Sequence, residues 1–380
     1  MAAGPDQSLA CNEDQQLIRE AALQFLEQQQ PIASLRGLRD GDEPSGVSAA
    51  LWDEMSALGW PGLLAPESVG GAGLGFQELG VVFEALGRHV VSTPLYSSGV
   101  LATSALTLVG GWASMPKAAD LATGASRVAL ALEETSRFDA DRIETLAMRD
   151  GDGYRLSGRK RPVLDAATAD LLLVVARIED DDLLGLFCVS PSAEGVAMTP
   201  LRWIDGRRAA DLRLEDVVVG DDALIGAPLS HSELIDPLVD RAATALAAEL
   251  VGISAKAFAE TVEFLKTREQ FDQKLAEFQA LQHRCARMFV DIERTISLVQ
   301  EALRALDDGD ADASMLASAA KAMASDTARH VTQEALQLHG GLGMTEEQDI
   351  GLYFKRARTS SVLFGDATYH YRRYARLNGF

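Results

Sequence analysis

Apolar residues recur at helical spacing in the first third of the chain. In NEDQQLIREAALQFL, residues 12–26, Leu17, Ile18, Ala21, Ala22, Phe25 and Leu26 share one face, with Asn12 or Asp14 as cap. SGVSAALWDEMSALG, residues 45–59, predicts a second amphipathic helix stopped at Gly59. WPGLLAPESVGGAGLGFQELGVVFEALGRHVV, residues 60–91, predicts a Pro/Gly-rich loop and a third helix. The pattern changes between about residues 126 and 228. RVALALEE, YRLSGRKRPVL, DLLLVVARI, DLLGLFCVS and DLRLEDVVV are short apolar or β-branched runs separated by Gly, Asp and Pro. No helical pattern alternates with them, so they predict an antiparallel sheet or small barrel, not a parallel Rossmann sheet. From residue 229 the helical period returns. Small residues crowd Ala242 to Ser254, and Phe278, Leu281, Cys285, Met288, Ile292 and Leu298 recur near helical spacing. Another long helical run, residues 311–338, follows. Long helices with short links predict a bundle. The expected fold is therefore mainly α with a central β-domain: helical domain 1–125, β-domain 126–228, C-terminal four-helix bundle 229–380.

A chain of 380 residues can bury a large core. Thirty-five basic against fifty-six acidic side chains leave a formal charge of −21, which argues against nucleic-acid or anionic-membrane binding. It leaves room for a phosphate-bearing small molecule, which needs only local donors. No apolar run reads as a membrane span, and the N-terminus lacks the basic start and apolar segment of a signal peptide. Cys11, Cys188 and Cys285 are too scattered for a disulfide framework or a zinc pattern, as expected of a reducing, cytoplasmic setting.

Three stretches invite a chemical reading. GGAGLG, Gly70 to Gly75, is neither G-x-G-x-x-G after a strand nor a P-loop, and reads as a flexible turn. In KTREQFDQKLAEFQALQHR, Arg268 stands at a helix junction beside Gln270 and Phe271. Such an arginine can pair with a phosphate, or simply with a surface carboxylate. In QLHGGLGMTEE, residues 337–347, a helix stop explains one glycine, whereas three glycines beside Gln337 also let a ligand approach the main chain.

Together these stretches resemble the acyl-CoA dehydrogenase family of flavoproteins over nearly the whole chain. LGWPGLLAPESVGGAGLG is similar to its N-terminal loop, REQFDQKLAEFQALQHRCARM to its R-x-Q-F-G segment, and QLHGGLGMTEE to its Q-x-x-G-G-x-G segment. The resemblance implies FAD as cofactor, an acyl-CoA substrate and electron-transfer flavoprotein or a similar acceptor. The reaction it implies is α,β-dehydrogenation, in which a carboxylate takes the α-proton. Arg268, with Gln270 and Phe271, is then expected at the pyrophosphate of a neighbouring subunit's FAD, and Gln337, Gly340 and Gly341 at its adenosine side. At least a dimer, and more fully a tetramer, follows.

The sequence also departs from the family. Its usual base is the Glu of Y-E-G-T, and Phe364 stands at that place in SVLFGDATYHYRR, with Asp366 two residues on. Some members hold the base early in the first bundle helix, where Ala242 aligns and Asp240 and Glu249 are near. A Glu249 among alanines would be partly buried with a raised pKa, as a base can be, or would be a paired structural carboxylate. Asp240, Glu249 and Asp366 are thus alternative candidates for one role. The flavin-contacting C-x-T-E-P-x-A-G-S-D corresponds to LALEETSRFDADRI, where Thr135 and Ser136 remain as hydroxyls, and W-I-T-N to PVLD, residues 162–165, where only backbone of Val163 and Leu164 remains. These departures resemble the smaller subunit of a heteromeric subgroup acting on sterol side-chain or pimeloyl-type acyl-CoAs. Alternatives are a non-catalytic partner on the same fold and a flavin oxidase or monooxygenase.

Overall fold

A computed structural model describes residues 7–29, 31–40 and 47–380. Residues 1–6, and Ser45 and Gly46 of the second expected helix, lie outside them. By contact the chain forms two compact units. One contains Met1–Ala33, Phe76–Val91 and Ala243–Phe380; the other contains Ser34–Gly75 and Ser92–Ala242.

The first unit is helical. Helix α1 (Glu13–Gln29) starts where Asn12 Oδ1 accepts the Gln15 N–H at 2.8 Å, the expected cap. It buries Gln15, Arg19, Ala22 and Leu26, whereas Leu17 is 65% exposed, so the buried stripe is rotated from the expected one. The cause is Glu84, fully buried on α4 (Phe76–Arg88). It accepts from Leu9 N–H at 2.7 Å, from Arg88 at 2.8 Å and from Arg19 at 3.4 Å, and so draws Arg19 inward. Helix α7 (His231–Thr267) crosses α4 at backbone contact. A Cβ on Gly252 would lie 2.0 Å from Glu84 O, and one on Gly87 2.1 Å from Glu249 O. The small residues between Ala242 and Ser254 allow that approach. Although α7 is apolar and long enough to cross a membrane, 83% of its most apolar window is buried protein core. Helices α8 (Gln279–Asp308), α9 (Ala313–His339), α10 (Ile350–Val362) and α11 (Ala367–Leu377) complete the bundle, α9 packing against the other three.

The second unit holds helix α2 (Pro31–Asp40) from Ser34 onward, helices α3 (Ala49–Ala57), α5 (Thr103–Leu108) and α6 (Ala118–Thr123), a π-helix over Leu95–Ala102, and a sheet. Its strands are β1 (Val128–Ala131), β2 (Leu146–Asp150), β3 (Gly153–Leu164), β4 (Leu171–Ile178), β5 (Leu184–Val189), β6 (Val196–Arg202), β7 (Arg208–Gly220) and β8 (Leu224–Leu229). The order β6-β7-β3-β2-β4-β5-β8 leaves β6 and β8 as edges, and β1 pairs with β4. The expected barrel is therefore an open sheet. It is also mixed, because β4 runs parallel to both β1 and β2. Ala129, Leu156, Val174, Phe187 and Leu212 form part of its core. The glycine loop is fixed rather than flexible. Ala72, Gly73 and Leu74 donate backbone N–H groups to Gly62, Ala65 and Leu63, and a Cβ on Gly71 would meet Ala65 O at 2.1 Å.

Candidate functional site

In the bundle unit, α7 ends at Thr267 and the chain makes a two-residue hairpin between β9 (Glu269–Gln270) and β10 (Gln273–Lys274). Phe271 and Asp272 at its tip both take positive φ, 55° and 61°. Such turns favour Asn-Gly because a Cβ is crowded there, so a Phe-Asp tip carries local strain. Phe271 is 84% exposed, its ring edge-on to Phe278 at 6.2 Å. Arg268 is exposed, and its guanidinium has no partner among the described residues. Gln270 is exposed too, its amide donating to Glu269 O at 2.7 Å.

Helix α9 stops at His339, whose ring stacks on Phe264 at 4.3 Å and bonds Ala335 O at 2.8 Å. Gly340 takes φ 60° and donates its N–H to Gln337 O. Gly340 and Gly341 are exposed, and nothing lies within 4 Å of where their Cβ atoms would be. The first glycine serves the helix stop, while the open space over both answers to the approach of a ligand. Gln337 is likewise exposed. An unpartnered cation, amides and uncrowded backbone are a donor set suited to a pyrophosphate and a nucleoside.

The carboxylate candidates have different surroundings. Glu249, 4% exposed, lies 3.2 Å from Arg356 and accepts from Ser360 Oγ at 3.0 Å. Arg356 is fully buried and also donates to Val91 O at 2.6 Å. Asp366 caps α11, accepting the Tyr369 N–H at 2.8 Å. Asp240 belongs to the second unit and is 4% exposed beside Arg241. Phe364 is buried at φ 50° in a turn clamped from two sides. Lys321 donates to Ser361 O at 3.1 Å and Gly365 O at 3.0 Å, and the His370 Nε2–H to Phe364 O at 2.8 Å. Burial pushes Lys321 down to about 7 against the attraction of Asp366 and Glu249. Burial, with the Lys321 charge, pushes His370 down to about 3.

In the sheet unit, Thr135 donates its hydroxyl to Arg137 O within its own loop, and Ser136 is exposed. Val163 and Leu164 pair with Ala210 and Ala209 of β7, so part of their backbone is committed to the sheet. Lys160 is fully buried and bonds Glu134 at 2.7 Å and Leu132 O at 3.1 Å. Burial pushes Lys160 down to about 8 while Glu134 opposes it. Burial pushes Glu134 up, but the Lys160 charge and backbone N–H groups of Thr145 and Glu144 outweigh it and hold the carboxylate low. The short bond and the lowered Glu134 make this a charged pair. Glu133, overlooked in the sequence reading, is half-buried, yet the protein around its carboxyl desolvates it and pushes it up to about 8. The Glu-Glu doublet closing an apolar strand run was the signal available for it.

The comparisons with known proteins agree along the chain. Acyl-CoA dehydrogenase N-terminal, middle and C-terminal domain models match residues 12–112, 129–217 and 237–377. Acyl-CoA dehydrogenase IpdE2 of Mycobacterium tuberculosis is 31% identical, over 92% of this chain and 93% of its own. The caffeyl-CoA reductase-Etf complex subunit CarC of Acetobacterium woodii is 27% identical over 93% and 95%. Among solved structures, a variant of the Tcur3481-Tcur3483 steroid ACAD has a TM-score of 0.84 at 31% identity, covering 96% and 97% of the two chains. The chain belongs to the acyl-CoA dehydrogenase family, a class of oxidoreductases acting on acyl-CoA.

Proposed function

We propose that the chain is a subunit of a FAD-dependent enzyme performing α,β-dehydrogenation of a bulky acyl-CoA, assembled with a second, unlike chain of the family. One contrast in the bundle carries this reading. The donor set is open, with Arg268 exposed and unpartnered among the described residues, while the turn expected to hold the base carries buried Phe364. Glu249 is bound to Arg356 and Ser360, and Asp366 caps a helix. The donors thus serve a neighbour's cofactor, and the carboxylate is best sought in the partner chain, with Asp240 as this chain's remaining candidate.

Arg268, Gln270 and Phe271 would hold the FAD pyrophosphate region, and Gln337, Gly340 and Gly341 the adenosine. On the sheet unit, Ser136, and Thr135 as acceptor, would meet the ring. Bound FAD supplies the hydride acceptor, and an electron-transfer flavoprotein reoxidises it. Support for a heteromer and a bulky substrate comes from the similarity to the Tcur3481-Tcur3483 steroid ACAD structure. Three unpaired cysteines suit a cytoplasmic enzyme.

The test is the flavin-to-chain ratio with native mass, for the chain alone and co-expressed with a second family chain. The expected result is no FAD alone and one FAD per unlike pair. One FAD per chain in an active homotetramer would sink the heteromer reading.

A further inference from the structure

The family resemblance sets two segments of the sheet unit against a flavin ring, residues 130–143 and 162–165. They are tied together where the Arg161 N–H donates to Glu133 O at 2.6 Å. That bond fixes Glu133 just beyond β1, immediately before Glu134, Thr135 and Ser136. The two carboxyls of the doublet then differ. Glu134 takes Lys160 at 2.7 Å and the backbone N–H groups of Thr145 and Glu144 at 2.9 and 2.6 Å. Lys160 spends a second bond on Leu132 O at 3.1 Å, and the Arg161 side chain reaches Asp211 at 3.7 Å. Neither cation is left for Glu133, whose carboxyl has no hydrogen bond or ion pair among the described residues. Nor is that carboxyl sealed in. The residue is half-buried and its unpartnered oxygens stay open to solvent, so a second molecule can reach them.

A carboxyl surrounded by protein, with no cation or donor beside it, holds its proton more tightly. Burial alone raises Glu133 to about 8, so near neutral pH it is a hydrogen-bond donor, where a carboxylate would only accept. A flavin presents carbonyl oxygens and ring nitrogens as acceptors along its pyrimidine edge. A hydride passed to the ring brings two electrons and one proton, and leaves it with one negative charge. A neutral acid strengthens its hydrogen bond as that charge develops, whereas a carboxylate would repel it.

We propose that Glu133, as the neutral acid, donates a hydrogen bond to an acceptor atom on the pyrimidine edge of the flavin and so favours the reduced cofactor. This rests on the FAD reading, with the ring on this chain's sheet unit, but not on the heteromer or on which carboxylate is the base.

The experiment is a spectroelectrochemical titration of the flavin in the purified complex, at pH values below and above about 8, for wild type, Glu133→Gln and Glu133→Ala. At the lower pH, glutamine, a neutral donor of the same length, should keep the wild-type potential. Alanine should weaken binding of reduced relative to oxidised flavin ~10-fold, a fall of about 30 mV for two electrons. At the higher pH the wild-type potential should fall more steeply with pH than that of Glu133→Gln, because the wild type loses its donor. If Glu133→Ala retains no flavin, the wild type and Glu133→Gln compared across pH decide the matter. FAD retained at a potential that neither alanine nor pH moves relative to glutamine overturns the proposal, and Glu133 is then an acid facing solvent. A higher potential in Glu133→Gln than in the wild type at the lower pH overturns it too, since the wild type would then carry a carboxylate. A wild-type complex without FAD defeats the FAD reading itself, and the proposal with it.

Discussion

Arg268 stands out for what surrounds it: exposed, at a helix end, without a carboxylate partner among the described residues in a chain of net charge −21. If it holds a pyrophosphate, Arg268→Ala should weaken FAD retention in the complex by ~10- to 100-fold, since charged hydrogen bonds contribute about 1.5–3 kcal/mol. Fluorescence of released FAD measures this; unchanged retention would return Arg268 to the role of a solvated surface cation. Glu249 poses the opposite case. Removing one member of a buried pair typically costs about 3–5 kcal/mol, so Glu249→Gln should lower stability through Arg356. Loss of flavin reduction at unchanged stability would instead assign Glu249 the base. His370 gives a pH dependence. Its folded pKa, about 3, lies below the ordinary 6.5, so between those values the unfolded chain binds the extra proton. Stability is therefore lost as pH falls from about 6.5 towards 3, on the order of 5 kcal/mol in full. His370→Gln should flatten that acid limb in thermal denaturation. Lys321, at about 7 against 10.5, gains stability as pH rises between those values, for the same reason of sign.

At the scale of elements, the α4–α7 crossing is set by glycine. Backbone oxygens lie where side chains would be at Gly87 and Gly252, and a helix-to-helix contact this close has no flexible side chain to yield. Gly252→Ala should destabilise by about 1–3 kcal/mol or more, read from denaturant unfolding. Gly340→Ala meets open space but must keep φ 60° and ψ −140°, a backbone region nearly closed to residues with a Cβ, so its cost is the backbone's alone, roughly 1–3 kcal/mol. The turn after α10 shows elements combining. Its terminal carbonyls need donors, and α9 and α11 supply them through Lys321 and His370, which holds Phe364 at a backbone angle unusual for an aromatic.

For the whole molecule, three helical and strand regions were legible because their hydrophobic periods differ, 3.6 residues against short β-branched runs. The strands β2, β6 and β8 were not legible. Their patterns are mostly half-buried or exposed, as in MTP of β6, so no apolar run announces them. Closure of the sheet could not be read either, since strand pairing is fixed by long-range register. The stretches at 268–271 and 337–341 stood out in the sequence, but residue chemistry alone left Arg268 open to a surface ion pair, and only their resemblance to family segments suggested a cofactor.

What the sequence alone determined is the kind of chain this is: helical regions around a β region, acidic overall, with Arg268 and a glycine-rich stretch at two helix ends and Phe364 where a base was expected. Those properties depend on residue type and short spacing. The tertiary structure decided which carboxylates are already bound and which donors remain open. Those depend on burial and on contacts between residues as far apart as Glu249 and Arg356, and the free energy of a charge or hydroxyl is set by the groups that surround it in space.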